Sequence, residues 1–480
     1  MLLITQWYNG NGPSKGQGFR VALALACILM GEAFGARPGA AETCPTSLDR
    51  AIATVIETPQ WERSQWGIVV APLGDAPIYE HDAQTYRVPA SNVKLLTTAA
   101  ALVALGPDYQ ILTPIHRYGT APTLTQLHIS GRGDPSLTTA DLQAFAQRLH
   151  SEGVREIQVL SVDDAPAHTH RPPTWEQADL NFYYGAAVNR VILNGNAFRV
   201  TLLPQGLGQP VQVVSEDLTA LGQWQGQNLT TTVSDEGARV EIASTFGQPT
   251  LTLTGGLPVN GGSTSLEMAV LDPTAYFLDT FRLALNQAGI TVGRTLVSDP
   301  PVDHIPQDYF TSPPLAALIE RINQPSDNLG AEALLQQLGS VETATGILTA
   351  LGVDPEGYRW VDGSGLSRQN LLSPAAVLQL LQAIGQHQYA DVFRASLPLG
   401  GESGTLRNRF RNPALGVYAK TGTMTGISTL SGYLQPEGGE PWVFAVMLNG
   451  ATSSVQAQRA AIDEVVGAIA TWQTCQTDLP

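Results

Sequence analysis

Pro89-Ala90-Ser91-Asn92-Val93-Lys94, followed by the apolar run Leu95 to Leu105, is the stretch from which the rest of this chain can be read. It reads as a turn feeding a helix. Ser91 falls at or next to the N-cap, leucines, threonines and alanines follow, and Gly106-Pro107 ends the helix. Residues three apart share a helix face, so Lys94 is expected beside the Ser91 hydroxyl. An amine there can take the hydroxyl proton, and the N–H groups of the helix start point at any oxyanion formed on an attacked carbonyl. Ser-x-x-Lys alone is a weak signal, but lysine usage strengthens it. The chain has three lysines, Lys15, Lys94 and Lys420; arginine supplies the rest of its 26 basic residues. Arginine stays protonated in proteins, whereas a desolvated lysine can act as a base.

The 480 residues allow two or more domains around a large core. With 43% hydrophobic and 14% charged residues the composition is that of a globular protein. A formal net charge of −16 argues against nucleic acid or an anionic membrane surface as the main partner. Residues 1–41 read as an export signal. Lys15 and Arg20 precede the apolar run Val21 to Met30, too short to span a bilayer, and small residues offer cleavage after Ala33 or Ala41. An uncleaved anchor is the competing reading. No later stretch is apolar enough for a membrane helix. Cleavage leaves Cys44 and Cys475, which an oxidising compartment favours as one disulfide tying the two ends together.

Residues 47–58 have helical periodicity, 65–70 read as a strand, and a second strand begins at Pro77. The far end mirrors this order, with strands at 418–421, 429–434 and 442–448 and a closing helix at 455–472. Elements from both termini are thus expected to build one helix-covered sheet, the fold class being α/β (α+β). It comprises residues 42–110 and 271–480, split by a β-rich insertion at 111–270. Within the insertion, short strands are expected at 199–203, 211–214, 239–243 and 251–254, and one helix at 139–152.

Two further motifs complete the chemistry: Ser326-Asp327-Asn328, and Lys420-Thr421-Gly422-Thr423. Alone, Ser326-Asp327-Asn328 reads as a helix cap. The trio in this order is the set used by penicillin-binding proteins and class A β-lactamases. Ser91 is then the nucleophile and Lys94 its activator. Ser326 is placed to relay a proton to the leaving amine, and Asn328 to hold the substrate amide and Lys94. Lys420, Thr421, Gly422 and Thr423 would bind a free carboxylate, and the backbone N–H groups of Ser91 and Thr423 would form the oxyanion hole. No cofactor is required. His168-Thr169-His170 after Asp163-Asp164 lacks the further ligands of a metal site and reads as a solvated loop.

Ser91 and Ser326 stand 235 residues apart, and Lys420 follows Ser326 by 94. With this spacing the chain resembles the class C low-molecular-mass penicillin-binding proteins, the D-alanyl-D-alanine carboxypeptidase/endopeptidase family, in which the long gap is an insertion within a transpeptidase-like domain. Gly133-Asp134-Pro135-Ser136-Leu137, Tyr183-Tyr184-Gly185-Ala186, Asp362 to Arg368, Gly404-Thr405-Leu406 and Lys420 to Tyr433 fit the same family. The resemblance implies a serine transpeptidase/β-lactamase-like domain in the periplasm, acting on peptidoglycan stem peptides and acylated by β-lactams. It also implies a pocket for the amino-bearing side chain of the stem peptide's third residue, formed by Asp179, Tyr184, Leu366 and Arg368. Gln177 and Ala178 depart from the family's aromatic and acidic residues there. Two other readings compete: a serine β-lactamase, against which the spacing speaks, and a non-catalytic cell-wall or β-lactam-binding protein, against which the intact set of five polar residues speaks.

Overall fold

The computed structural model describes residues 47–477 apart from 166–167, 245–247, 300–304 and 438. The expected export signal and Cys44 lie outside the described residues. The central element is a five-stranded antiparallel sheet in the order Val417–Met424, Ile427–Leu434, Trp442–Asn449, Gln65–Pro72, Tyr79–His81. The two ends of the chain meet in it, Gln65 opposite Asn449 and Pro72 opposite Trp442. Ile427–Leu434 and Trp442–Asn449 are buried at every position. Helices cover both faces, which is why Trp442–Asn449 is apolar up to its last residue, while the buried Ser428, Thr429 and Ser431 of its neighbour each have a hydrogen-bond partner. The first two strands named form a hairpin whose loop is Thr425-Gly426, with Gly426 at φ +76°.

On one face lie helix Leu48–Ile56, capped by the Ser47 hydroxyl, and the long helix Val455–Thr477. The other face carries helix Val93–Leu105, whose residues Val93 to Leu102 are all buried. A helix apolar on all sides belongs in a core. Helices Leu315–Asn323, Asn328–Gln337, Val341–Ala350 and Pro374–Gly385 surround it. Among the described residues no helix is long and apolar enough to cross a membrane.

Between these halves a second five-stranded sheet runs Thr291–Val297, Glu156–Val162, Thr123–Ile129, Leu112–Thr120, Asp308–Thr311. Helices Thr139–Ser151 and Pro273–Gln287 pack on it around Phe145, Phe277 and Phe281. The expected insertion boundary at residue 270 thus falls before a helix and two strands that join this sheet. The pairing of 291–297 with 156–162 is parallel and spans more than a hundred residues, a relation that local periodicity does not carry. Thr138 and Asp141 form a capping box on the expected helix. The four expected short strands lie within or beside Ala197–Leu203, Gln212–Val214, Val240–Ser244 and Thr250–Pro258, in two small sheets. A small cluster of Ala186, Val188, Ile192, Ala269, Leu329 and Ala333 fastens the inserted segment to helix Asn328–Gln337.

Candidate active site

Ser91 lies in the 3-10 turn Ala90–Asn92 that leads into helix Val93–Leu105, one residue before the N-cap position. The turn is held from several sides. Asn92 Nδ2 donates to Ser431 Oγ at 2.8 Å, and Thr429 Oγ1 donates to the Pro89 carbonyl at 3.0 Å. Ala90 has φ +48°, a left-handed conformation unusual for a residue with a Cβ. Two glycines allow the close fit. A Cβ on Gly365, at φ +82°, would come within 2.0 Å of the Ala90 carbonyl oxygen, and one on Gly422 within 2.2 Å of Thr429 Oγ1. The strand end carrying Lys420 to Thr423 therefore rests directly on the Ser91 turn.

Lys94 is fully buried and its Nζ makes three hydrogen bonds. It donates to Ser91 Oγ at 3.0 Å, Asn328 Oδ1 at 2.6 Å and the Ser364 carbonyl at 2.6 Å. Desolvation lowers its pKa to about 8, against the opposing pull of Asp327, Asp362 and Glu332. Lys420, also fully buried, donates to Ser326 Oγ at 2.9 Å and to the Thr421 carbonyl at 3.1 Å. Burial, and then the charge of Lys94, push its pKa well below the ordinary lysine value. Ser326 is the second strained residue, at φ +67°. Asp327 holds the N-cap position of helix Asn328–Gln337, so the cap reading and the motif reading describe the same residues. Asn328 Nδ2 donates to the Tyr184 carbonyl at 2.8 Å, which ties the motif to the inserted segment. Ser91, Lys94, Ser326, Asn328 and Lys420 thus form one continuous cluster.

Other residues complete it. Thr421 Oγ1 donates to Thr405 Oγ1 at 2.8 Å, while Thr423 is exposed at the strand end. Buried Glu332, one helical turn after Asn328, accepts from the backbone N–H groups of Gly363 at 3.1 Å and Ser364 at 2.8 Å. It thereby fixes the Ser364 carbonyl that receives Lys94. Burial, and then Asp362, raise the Glu332 pKa to about 8. Asp362 accepts from Gly365 N, Ser367 N, Asn370 Nδ2 and Trp175 Nε1 at 2.7–2.8 Å. Sequence reading found the stretch Asp362 to Arg368 but assigned no role to Glu332, Asp362 or Thr405. The i, i+4 spacing of Asn328 and Glu332 was the available signal for the first.

In the expected side-chain pocket Asp179 lies within reach of both Tyr184 and Arg368. Asp179, half-buried, hydrogen-bonds the Tyr184 side chain, and desolvation and Glu176 raise its pKa. Tyr184 stacks on Phe182 with ring centroids 5.6 Å apart. Arg368 does not pair with Asp179. Its Nε donates to Glu176 Oε1 at 2.8 Å, although its charge is felt at Asp179. Leu366, half-buried, precedes it in the same loop. Cys475, near the end of the long helix, is disulfide-bonded; its expected pairing with Cys44 falls outside the described residues. Among these residues no group of three or more His, Cys, Asp and Glu is arranged to hold a metal ion.

The model of the D-Ala-D-Ala carboxypeptidase 3 (S13) family matches residues 48–472, nearly everything described above. The chain belongs to this family. The S13 protein is thus a hydrolase of the peptidase class. A D-alanyl-D-alanine carboxypeptidase of an Actinomadura species is 32% identical over 476 residues, covering 90% of this chain and 87% of its own. Penicillin-sensitive carboxypeptidase A of Dictyostelium discoideum is 27% identical over 430 residues, covering 78% and 80%. Among solved structures, penicillin binding protein 4 (dacB) from Haemophilus influenzae has a TM-score of 0.74 at 23% identity, covering 87% of this chain and 98% of that one. That likeness shows that the S13 protein shares the mixed α/β fold of that penicillin binding protein.

Proposed function

We propose that this S13 protein is a periplasmic serine D,D-peptidase that acts on peptidoglycan stem peptides. It removes the terminal D-alanine, cuts D-alanine cross-links, or does both, and β-lactams acylate it. The observation that carries the reading is the Lys94 Nζ to Ser91 Oγ contact of 3.0 Å, made by a buried amine with a pKa lowered to about 8. Such an amine has a substantial neutral fraction near neutral pH.

Neutral Lys94 takes the Ser91 proton as Oγ attacks the carbonyl of the penultimate D-alanine. The oxyanion forms against the N–H groups of Ser91 and Thr423. The proton taken by Lys94 is relayed to the leaving nitrogen through Ser326, which is bonded to Lys420 Nζ; the C–N bond breaks, an ester on Ser91 remains, and Lys94 is neutral again. Water then attacks the ester, with Lys94 accepting its proton and returning one to Oγ. Asn328 holds the substrate amide and Lys94 together. A third-residue ammonium group would face Asp179 beside Tyr184, and Arg368 would serve the carboxylate of a zwitterionic side chain. The Cys44–Cys475 bridge would tie the mature chain's start to its last helix. The Dictyostelium relative's description as penicillin-sensitive supports acylation by β-lactams.

The test is the lifetime of a fluorescent penicillin adduct on the purified protein, beside Ser91→Ala. A slowly decaying label that requires Ser91, together with D-alanine release from N-acylated D-alanyl-D-alanine, is expected. Rapid turnover with little trapped label would replace the reading with a β-lactamase. No label and no turnover on folded protein would leave a binding role.

A further inference from the structure

The strand end that carries Thr423 has a cationic neighbour from a distant part of the chain. Arg459, in the first turns of helix Val455–Thr477, places Nη2 3.3 Å from Thr423 Oγ1. Among the described residues no carboxylate lies within ion-pair reach of its guanidinium. The helix start is itself fixed. Ser428 Oγ donates to Gln458 Oε1 at 2.9 Å, and Gln458 Nε2 donates to the Ser453 carbonyl at 2.8 Å, so the residue before Arg459 is anchored to the strand paired with Thr423. Arg459 is half-buried, which limits its reach into solvent.

The two other cations near this end are committed elsewhere. Arg368 reaches the Thr425 carbonyl at 3.4 Å, but it pairs with Glu176 at 2.8 Å and belongs to the side-chain pocket proposed above. Lys420 is fully buried and its Nζ is occupied by Ser326 Oγ and the Thr421 carbonyl. A lysine in such surroundings carries its charge poorly, whereas a guanidinium keeps its charge and offers a planar pair of donors that matches a carboxylate.

We propose that Arg459 is a specificity-determining residue that, with Thr423, receives the free carboxylate at the leaving-group end of the substrate. The inference rests on the D,D-peptidase reading for the identity of that substrate and on the Arg459–Thr423 geometry for the site. Arg459 supplies the lasting positive charge of the subsite; Thr421 and Thr423 supply neutral hydrogen bonds. Peptides ending in a carboxylate are therefore selected over the same peptides ending in an amide.

The experiment compares an N-acylated D-alanyl-D-alanine with its C-terminal carboxamide, on wild type, Arg459→Gln and Arg459→Lys. Binding is measured in a Ser91→Ala background, and kcat and KM in the active enzyme. Arg459→Gln should weaken binding of the carboxylate peptide by roughly tenfold to a hundredfold, the span commanded by a charge-assisted hydrogen bond, and raise KM accordingly. The carboxamide should bind wild type and variant alike, and Arg459→Lys should recover part of the loss. Equal losses for both peptides would show that Arg459 only braces Thr423 and would overturn the proposal, as would no loss for either. If wild type cleaves neither peptide yet its Ser91→Ala form still prefers the carboxylate through Arg459, the peptidase reading falls and the subsite stands.

Discussion

The pH dependence of acylation follows directly from the placement of Lys94. Its amine is enclosed, with a pKa brought from 10.5 to about 8 by desolvation. At pH 7 about one molecule in ten then carries the neutral amine, against roughly one in 3,000 for an exposed lysine, a gain of about 300-fold in active base. The pseudo-first-order labelling of wild type by a fluorescent penicillin, measured from pH 6 to 10 at fixed sub-saturating concentration, should climb about tenfold per unit below pH 8 and flatten above it. Lys94→Arg keeps a cation at the same place but cannot lose its proton, so its labelling should stay low across the whole range. A wild-type profile that is flat from pH 6 to 9 would refute Lys94 as the base, as would a rise that continues to pH 10.

Glu332 gives a stability signature of opposite sense. Its folded-state pKa lies above the unfolded value, so its contribution is present below the ordinary glutamate pKa and is lost as pH rises towards about 8. The melting temperature of wild type should therefore fall from pH 5 to 8 more steeply than that of Glu332→Gln, and parallel curves would refute the assignment. Gly422→Ala places a Cβ 2.2 Å from Thr429 Oγ1 and 2.7 Å from the Pro89 carbonyl oxygen. The strand must then lift from the Ser91 turn, and penicillin labelling should slow by roughly a hundredfold with the circular dichroism spectrum unchanged, because displacements of this kind act through orientation. Asp179→Asn should lower kcat/KM about tenfold for a peptide with a free third-residue amine, leaving its N-acetylated form and the labelling rate unaffected. Equal losses on both peptides would count against the pocket.

The sequence disclosed the elements whose signals are local. Ser91, Lys94, Ser326, Asn328 and Lys420 sit in short motifs, and the apolar run of 442–448 follows from burial on both faces. Relations between distant segments were not legible. Nothing in the composition of 291–297 says that it pairs in parallel with 156–162, nor that 308–311 closes the far edge of the same sheet. Glu332 acts through the backbone of Gly363 and Ser364, some thirty residues on, and Asp362 gathers donors from Trp175 to Asn370. Arg459 stands 36 residues beyond Thr423 in a helix whose periodicity reports only its buried face. The ion pair of Arg368 with Glu176 is a choice between two nearby carboxylates, and only geometry decides it.

The economy of lysine acquires a physical reason in this arrangement. Both described lysines, Lys94 and Lys420, are fully buried, while the ion pairs elsewhere in the described structure are made by arginine. Placing two such amines within electrostatic reach of one another is unfavourable, and the charge of Lys94 adds to burial in depressing the tendency of Lys420 to hold a proton. At Lys94 the carboxylates of Asp327, Asp362 and Glu332 oppose desolvation and keep the pKa from falling further. Too little charge compensation would leave Lys94 a weak base that is always neutral; too much would return it to a protonated ammonium. The surrounding frame must also hold Ala90 and Ser326 at positive φ. The all-buried helix behind Ser91 and the doubly covered sheet beside it supply the packing that does so. Substitutions that relieve this strain or remove a buried charge are therefore expected to stabilise the fold at the expense of acylation, which is where a functional site differs from a core.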